Sequence, residues 1–186
     1  MCGRYYCDYE TYSFISDMTD ESDIEDECDF CPGQEIPVII IKDGETVLEK
    51  FSWGYSTNQA LVINARCETL LEKKMFSDDA SKRRCLIPAK GFYEWDARKN
   101  KLSFQSHQDK ILLMAGIYRE KQKEVVIITT SANQVMKPIH SRMPLIIKKE
   151  NMKKWLLNEE KTKEFLNSSF DELEIVSGNM QQSFFE

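Results

Sequence analysis

The pair Asp43-Gly44, set between the apolar runs 36–42 and 46–51, constrains the fold more than any other feature of the chain. A two-residue loop of this composition tolerates the positive backbone angles of a tight hairpin turn, so the flanking runs are expected to pair antiparallel. Short runs rich in apolar and β-branched residues continue the pattern at 61–65, 84–87, 103–107, 111–118 and 125–130, and the last three read as a meander. A closing strand is expected at 173–176. Helices are expected at 5–18, within the polar stretch 72–82, and at 150–166, where Trp155, Leu156 and Phe165 supply an apolar face. These elements predict an α+β chain: a curved, mostly antiparallel, barrel-like sheet with peripheral helices, forming one domain over residues 2–180. A chain of 186 residues with 41% hydrophobic content can bury one such core, and no stretch resembles a linker between two.

Composition excludes several classes. No run of some 18 apolar residues is present, and the charged, tyrosine-rich start lacks the apolar segment of an export signal, so a cytoplasmic protein without membrane contact is expected. The six cysteines are then expected to be reduced thiols. A net charge of -6 argues against general affinity for nucleic acid, but the excess is local. Eight acidic groups and no basic ones fall between Asp17 and Asp29, a segment read as a solvated loop, which leaves 25 cations against 23 anions elsewhere.

Chemistry enters at the amino end. Cys2 follows Met1 directly, and a small second residue favours removal of the methionine, which would leave an amine and a thiol on one residue. At about pH 7.4 roughly a quarter of an ordinary α-amine is the nucleophilic free base, against about a thousandth of a lysine. Such an amine can condense with an aldehyde, after which the neighbouring sulfur can close a five-membered thiazolidine ring.

Further blocks accompany Cys2-Gly3-Arg4. They are Ser52-Trp53-Gly54, then Ile63 through Thr69 (Ile-Asn-Ala-Arg-Cys-Glu-Thr), then Arg84 through Trp95 (Arg-Cys-Leu-Ile-Pro-Ala-Lys-Gly-Phe-Tyr-Glu-Trp), and finally His140-Ser141-Arg142-Met143-Pro144. In order and spacing these resemble the SRAP family, the SOS-response-associated peptidases, understood as sensors of abasic sites in single-stranded DNA. The resemblance implies a DNA-damage-response protein that crosslinks covalently to abasic sites through Cys2; no cofactor is expected, and a monomer is expected. Weak lyase activity and self-removal of Met1 are possible accompaniments.

Residue by residue, the resemblance implies that Cys2 is the nucleophile and that Asn64 is a hydrogen-bonding amide beside the reacting centre, although a strand-end asparagine often serves only as a cap. Glu94 lies among aromatics, where desolvation suits a carboxyl to proton transfer, yet on an edge strand it could equally face solvent. His140 is expected to assist sugar ring opening and loss of water, while His107 matches no motif and is read as structural. Arg4, Arg66 and Arg142 are candidate phosphate contacts. Trp53 is a candidate for stacking on a base, with core packing as the alternative. Two departures predict modest DNA affinity: Asp29 is an anion where the family commonly has a neutral amide, and few basic residues follow Ser177-Gly178-Asn179.

Two other readings remain open from the residues. Cys2, His140 and Glu94 could serve a thiol peptidase. Cys2, Cys7, Cys28 and Cys31 could form a tetrahedral zinc site, although their spacing lacks the usual paired knuckles.

Overall fold

The structure of the protein, a computed structural model, describes residues 2–19 and 28–176. The hairpin forms around Asp43 and Gly44, whose φ angles are 52° and 87°. Its arms, β3 (Glu35–Lys42) and β4 (Glu45–Trp53) in chain order, pair from Lys42↔Glu45 to Glu35↔Ser52. Before them come β1 (Tyr5–Cys7), helix α1 (Tyr9–Thr19) and β2 (Cys28–Phe30). After them come β5 (Tyr55–Ser56), β6 (Leu61–Val62), β7 (Asn64–Arg66), helix α2 (Ser77–Lys82), β8 (Arg84–Ala89) and β9 (Gly91–Trp95). The chain finishes with β10 (Lys101–Ser106), β11 (Leu112–Arg119), β12 (Glu124–Ser131), β13 (Arg142–Pro144), helices α3 (Met152–Leu157) and α4 (Thr162–Leu166), and β14 (Leu173–Val176).

Two sheets carry the fold. In the larger one the pairings run β11-β8-β3-β4-β12 and return from β12 to β11, which closes a barrel. Strand β12 holds β11 and β4 along its first half, then β13 and β7 along its second. The smaller sheet, β14-β10-β9-β1-β2, is antiparallel throughout. Strands β3, β8, β11 and β12 of the barrel are buried on both faces, because each face meets its own core. Val38, Ile40, Val125 and Ile127 pack with Tyr5, Phe92 and Phe104 of the smaller sheet, while Ile39, Val126 and Ile128 pack with Phe76, Trp155 and Phe165 of the helical side. That is why these segments read as continuous hydrophobic runs and not as alternation.

Several expected elements are redrawn. Residues 5–7 are strand, not helix: Tyr5 and Cys7 are buried while Tyr6 is not, and the helix starts only at Tyr9. The switch is made by Asp8, whose Oδ1 accepts from the Thr11 N–H at 3.0 Å while the Thr11 hydroxyl accepts from the Asp8 N–H at 3.3 Å. This reciprocal cap satisfies donors that a helix begun at Tyr5 would have placed elsewhere. The expected meander is half present, since β11 and β12 pair but β10 belongs to the smaller sheet between β9 and β14. The expected helix at 150–166 is broken by Asn158, whose side-chain oxygen accepts from the Lys161 N–H at 3.2 Å. Of the stretch 72–82 only its second half is α-helical. The acidic run is not one loop: Asp17 lies in α1 and Asp29 in β2, while 20–27 fall outside the described residues.

Among the described residues no helix is long and apolar enough to cross a membrane.

Candidate functional site

The amino end is pinned between the two sheets. The Arg4 carbonyl accepts from the Tyr93 N–H at 2.9 Å, extending the β1/β9 ladder one step beyond Tyr5↔Phe92. Because the pairing is antiparallel, residues 2 and 3 continue toward Glu94 and Trp95. From the barrel side, β7 lies parallel to β12 with Asn64 opposite Ile127, and the Asn64 amide donates to the Cys2 carbonyl at 2.9 Å. Cys2 is fully buried. Burial first, and the nearby Glu94 carboxyl second, push its thiol up to about 12, partly offset by the amino-terminal charge and a backbone hydrogen bond at Arg4. A thiol so placed stays protonated at neutral pH and is a weak nucleophile until a base takes its proton.

Glu94 faces inward. Its strand is not an edge, since β9 pairs with β1 on one side and β10 on the other, and the residue is 6% exposed. This arrangement requires Gly91: a Cβ there would come within 2.5 Å of the Phe104 carbonyl and 2.6 Å of the Tyr6 hydroxyl. Strand alternation then turns Trp95 outward, where it is 40% exposed beside the amino end.

Trp53 does not present a face to solvent. It is fully buried, tilted against Tyr5 with ring centroids 5.5 Å apart, and its indole N–H donates to the Ile63 carbonyl at 3.1 Å. The expected base-stacking role is therefore not available to it in this arrangement; Trp53 instead fastens the residue that precedes Asn64. The exposed indole near the site belongs to Trp95, which alternation along Phe92–Trp95 could have singled out once Glu94 was placed inside.

His140 stands at the entry to β13. The loop before it is shaped by Asn133, whose Oδ1 accepts from the Met136 N–H at 2.9 Å and whose amide donates to the Phe170 carbonyl at 2.9 Å. The His140 N–H then closes on the Met136 carbonyl at 3.0 Å. On the ring, Nδ1 lies 3.0 Å from the Arg142 N–H nitrogen, which donates to it, and 3.2 Å from the Arg142 carbonyl oxygen. The Arg142 guanidinium is already engaged: it grips both oxygens of Glu68, and Nη2 also donates to the Thr129 carbonyl at 2.5 Å. Arg142 thus meets a carboxylate where a phosphate contact was expected.

The remaining arginines differ. Arg4 pairs with Asp29 through Nε at 2.9 Å and Nη2 at 2.6 Å, and Lys101 stands 3.8 Å from the same carboxylate. Asp29, the anion noted as a departure from the family pattern, is therefore neutralised by a neighbouring candidate residue. Arg66, at the end of β7, is exposed and makes no ion pair among the described residues. Cys7 and Cys28 face each other across β1 and β2, while Cys2 lies in the core. No group of three or more potential metal ligands gathers among the described residues, so the four cysteines do not assemble a zinc site there.

Known proteins resemble the chain in sequence and in fold. Residues 1–181 match the family model described as SOS response associated peptidase (SRAP). Abasic site processing protein YoaM of Bacillus subtilis (strain 168) is 30% identical, the match covering 90% of this chain and 84% of that protein. Abasic site processing protein YedK of Escherichia coli (strain K12) is 24% identical over 88% of this chain and 83% of its own. A crystal structure of a Bacteroides thetaiotaomicron protein superposes with a TM-score of 0.77 at 23% identity, covering 94% of this chain and 90% of that one. The crystal structure of a phage-related protein from Bordetella bronchiseptica does so with a TM-score of 0.77 at 22% identity, covering 95% and 94%.

Proposed function

Because the chain belongs to the SOS response associated peptidase (SRAP) family, we propose that it processes abasic sites in single-stranded DNA by forming a covalent adduct at Cys2. The observation that carries this reading is the seat of Cys2, held by the Asn64 amide and placed close enough to Glu94 for the carboxyl to perturb its thiol. Removal of Met1 converts the Cys2 nitrogen from an amide to an amine at that seat. The amine then attacks C1′ of the ring-opened deoxyribose to give a carbinolamine, and loss of water leaves an imine. Addition of sulfur to the imine carbon, with the thiol proton passing to the imine nitrogen, closes a thiazolidine; the sum is one water released.

This order suits a thiol held near 12. The amine reacts first, and the sulfur needs to lose its proton only as the ring closes, when the nitrogen must gain one. Glu94 is the group placed to relay it, and His140 assists ring opening of the sugar. The same buried thiol is a poor match to a peptidase, which needs a thiolate before the substrate arrives. Arg66 and Trp95 are the exposed groups suited to the flanking strand, by phosphate contact and by stacking. A weak lyase activity, by β-elimination from the imine, accompanies the adduct.

The test mixes protein with a single-stranded oligonucleotide carrying one abasic site and looks for a slower band on a denaturing gel. Wild type gives the band and Cys2→Ala does not. A band of equal strength with Cys2→Ala places the nucleophile elsewhere, and intact-mass analysis finding Met1 on active protein removes the amine from the chemistry.

A further inference from the structure

Glu68 has no part in the chemistry above, yet it makes the most developed charged contact at the site. It stands in the 3-10 turn Cys67–Thr69 directly after β7, reaching across to the first residue of β13. Both of its oxygens are taken by Arg142, and the same guanidinium donates to the Thr129 carbonyl at 2.5 Å and approaches the Thr129 hydroxyl at 3.4 Å. One arginine therefore ties the end of β7 to β12 and β13. The backbone of that arginine is what His140 rests on: N–H to Nδ1 at 3.0 Å, and the carbonyl oxygen 3.2 Å from Nδ1.

We infer that Glu68 is a positioning residue, which acts through Arg142 to hold the His140 ring in place and to set which of its nitrogens carries the proton. The inference rests on the role proposed for His140 in abasic-site capture. With the Arg142 N–H donating to Nδ1, a neutral His140 carries its proton on Nε2. That holds only while the Arg142 backbone stays put, and its guanidinium is the anchor. The Arg142 side chain is only 13% exposed, and a guanidinium whose fork is filled by a carboxylate fixes the backbone that carries it. Glu68 can serve throughout the neutral range, because the bond from Arg142 holds its carboxyl down at about 2.

The test is a double-mutant cycle read by single-turnover crosslinking to an oligonucleotide with one abasic site, using wild type, Glu68→Gln, His140→Ala and the double variant. Glu68→Gln is expected to slow crosslinking about tenfold with affinity for intact single-stranded DNA changed by less than about twofold, and to add nothing in the His140→Ala background. A tenfold loss that persists without His140, or a loss confined to DNA affinity, overturns the inference. Glu68→Asp, which keeps the charge but shortens the reach, is expected to fall between the two.

A second measurement needs no DNA. Long-range nitrogen–proton correlations of the His140 ring, assigned with a His107→Gln variant because the chain has two histidines, should show the proton on Nε2 in wild type and a mixed pattern in Glu68→Gln. An unchanged pattern overturns the inference. Should wild type form no Cys2-dependent adduct, the abasic-site reading fails instead, and the ring measurement still decides whether Glu68 holds His140.

Discussion

The two halves of the candidate site treat charge in opposite ways. Around Cys2, burial and then the Glu94 carboxyl drive the thiol toward its neutral form, up to about 12, and the amino-terminal charge offsets them only in part. At the other half, Glu68 sits against Arg142 and is driven toward its charged form, down to about 2. Desolvation opposes charge in both places; only the second supplies a hydrogen-bonded counter-ion that outweighs it. One half is thereby suited to chemistry that moves protons, the other to holding a shape.

The largest expected effect lies at Cys2. A thiol moved from 9.0 to about 12 has on the order of a thousandfold less thiolate at pH 8, so alkylation of Cys2 in the folded protein should be slower than in urea by at least that factor. Peptide mass spectrometry after timed iodoacetamide exposure measures it, and comparable rates would erase the contrast between the halves.

Next comes Arg142. Replacing it with alanine leaves Glu68 partly solvated but removes the tie among β7, β12 and β13, and should cost about 1–2 kcal/mol once solvent screening is allowed for. Arg4 is more open to solvent than Arg142, and Asp29 keeps Lys101 and the Tyr93 hydroxyl when it is removed, so Arg4→Ala should cost under about 0.5 kcal/mol. Urea unfolding of the two variants gives the comparison, and equal losses would mean that Arg142 is no anchor.

The halves should also respond to pH at opposite ends. The folded-state carboxyl of Glu68 is depressed, so its stabilisation is present above about 4.5 and is lost as pH falls toward about 2. The Cys2 thiol is raised, so its contribution is complete below about 9 and is lost as pH climbs toward about 12. Thermal melting across the range should show Glu68→Gln flattening the acid limb alone and Cys2→Ala softening the alkaline limb alone; a change on the opposite limb contradicts the assignment.

The smallest effect belongs to Asp29. Substitution by asparagine releases Arg4 and should tighten single-stranded DNA binding a few-fold while steepening the log-log salt dependence by about 0.7, one phosphate contact. An unchanged slope in a fluorescence-anisotropy titration would show that Arg4 makes no contact even when it is free.

What could be read from the chain beforehand was local. Asp43-Gly44 announced its hairpin because the turn's backbone angles are a property of two residues, and the blocks at Cys2, Asn64, Glu94 and His140 announced the family. The Asp8–Thr11 cap that ends β1 and starts α1 was equally local, and its Asp-x-x-Thr pattern was there to be read. Pairing was harder. Residues 103–107 suit any sheet, and whether they join β11 or β9 depends on which edge is open after the barrel closes. Facing was harder still, since alternation along Phe92–Trp95 permits Glu94 inside or outside with equal ease, and a tryptophan suits core or surface.

The sequence by itself determined the turns, the caps and the chemical groups on offer, because each of these is settled within a few neighbouring residues. Only the tertiary structure decided that Trp53 is core while Trp95 is open, that Glu94 lies beside Cys2, and that Arg142 is held by Glu68. Those outcomes depend on which distant strands come together, and burial and ion pairing take their energies from that meeting.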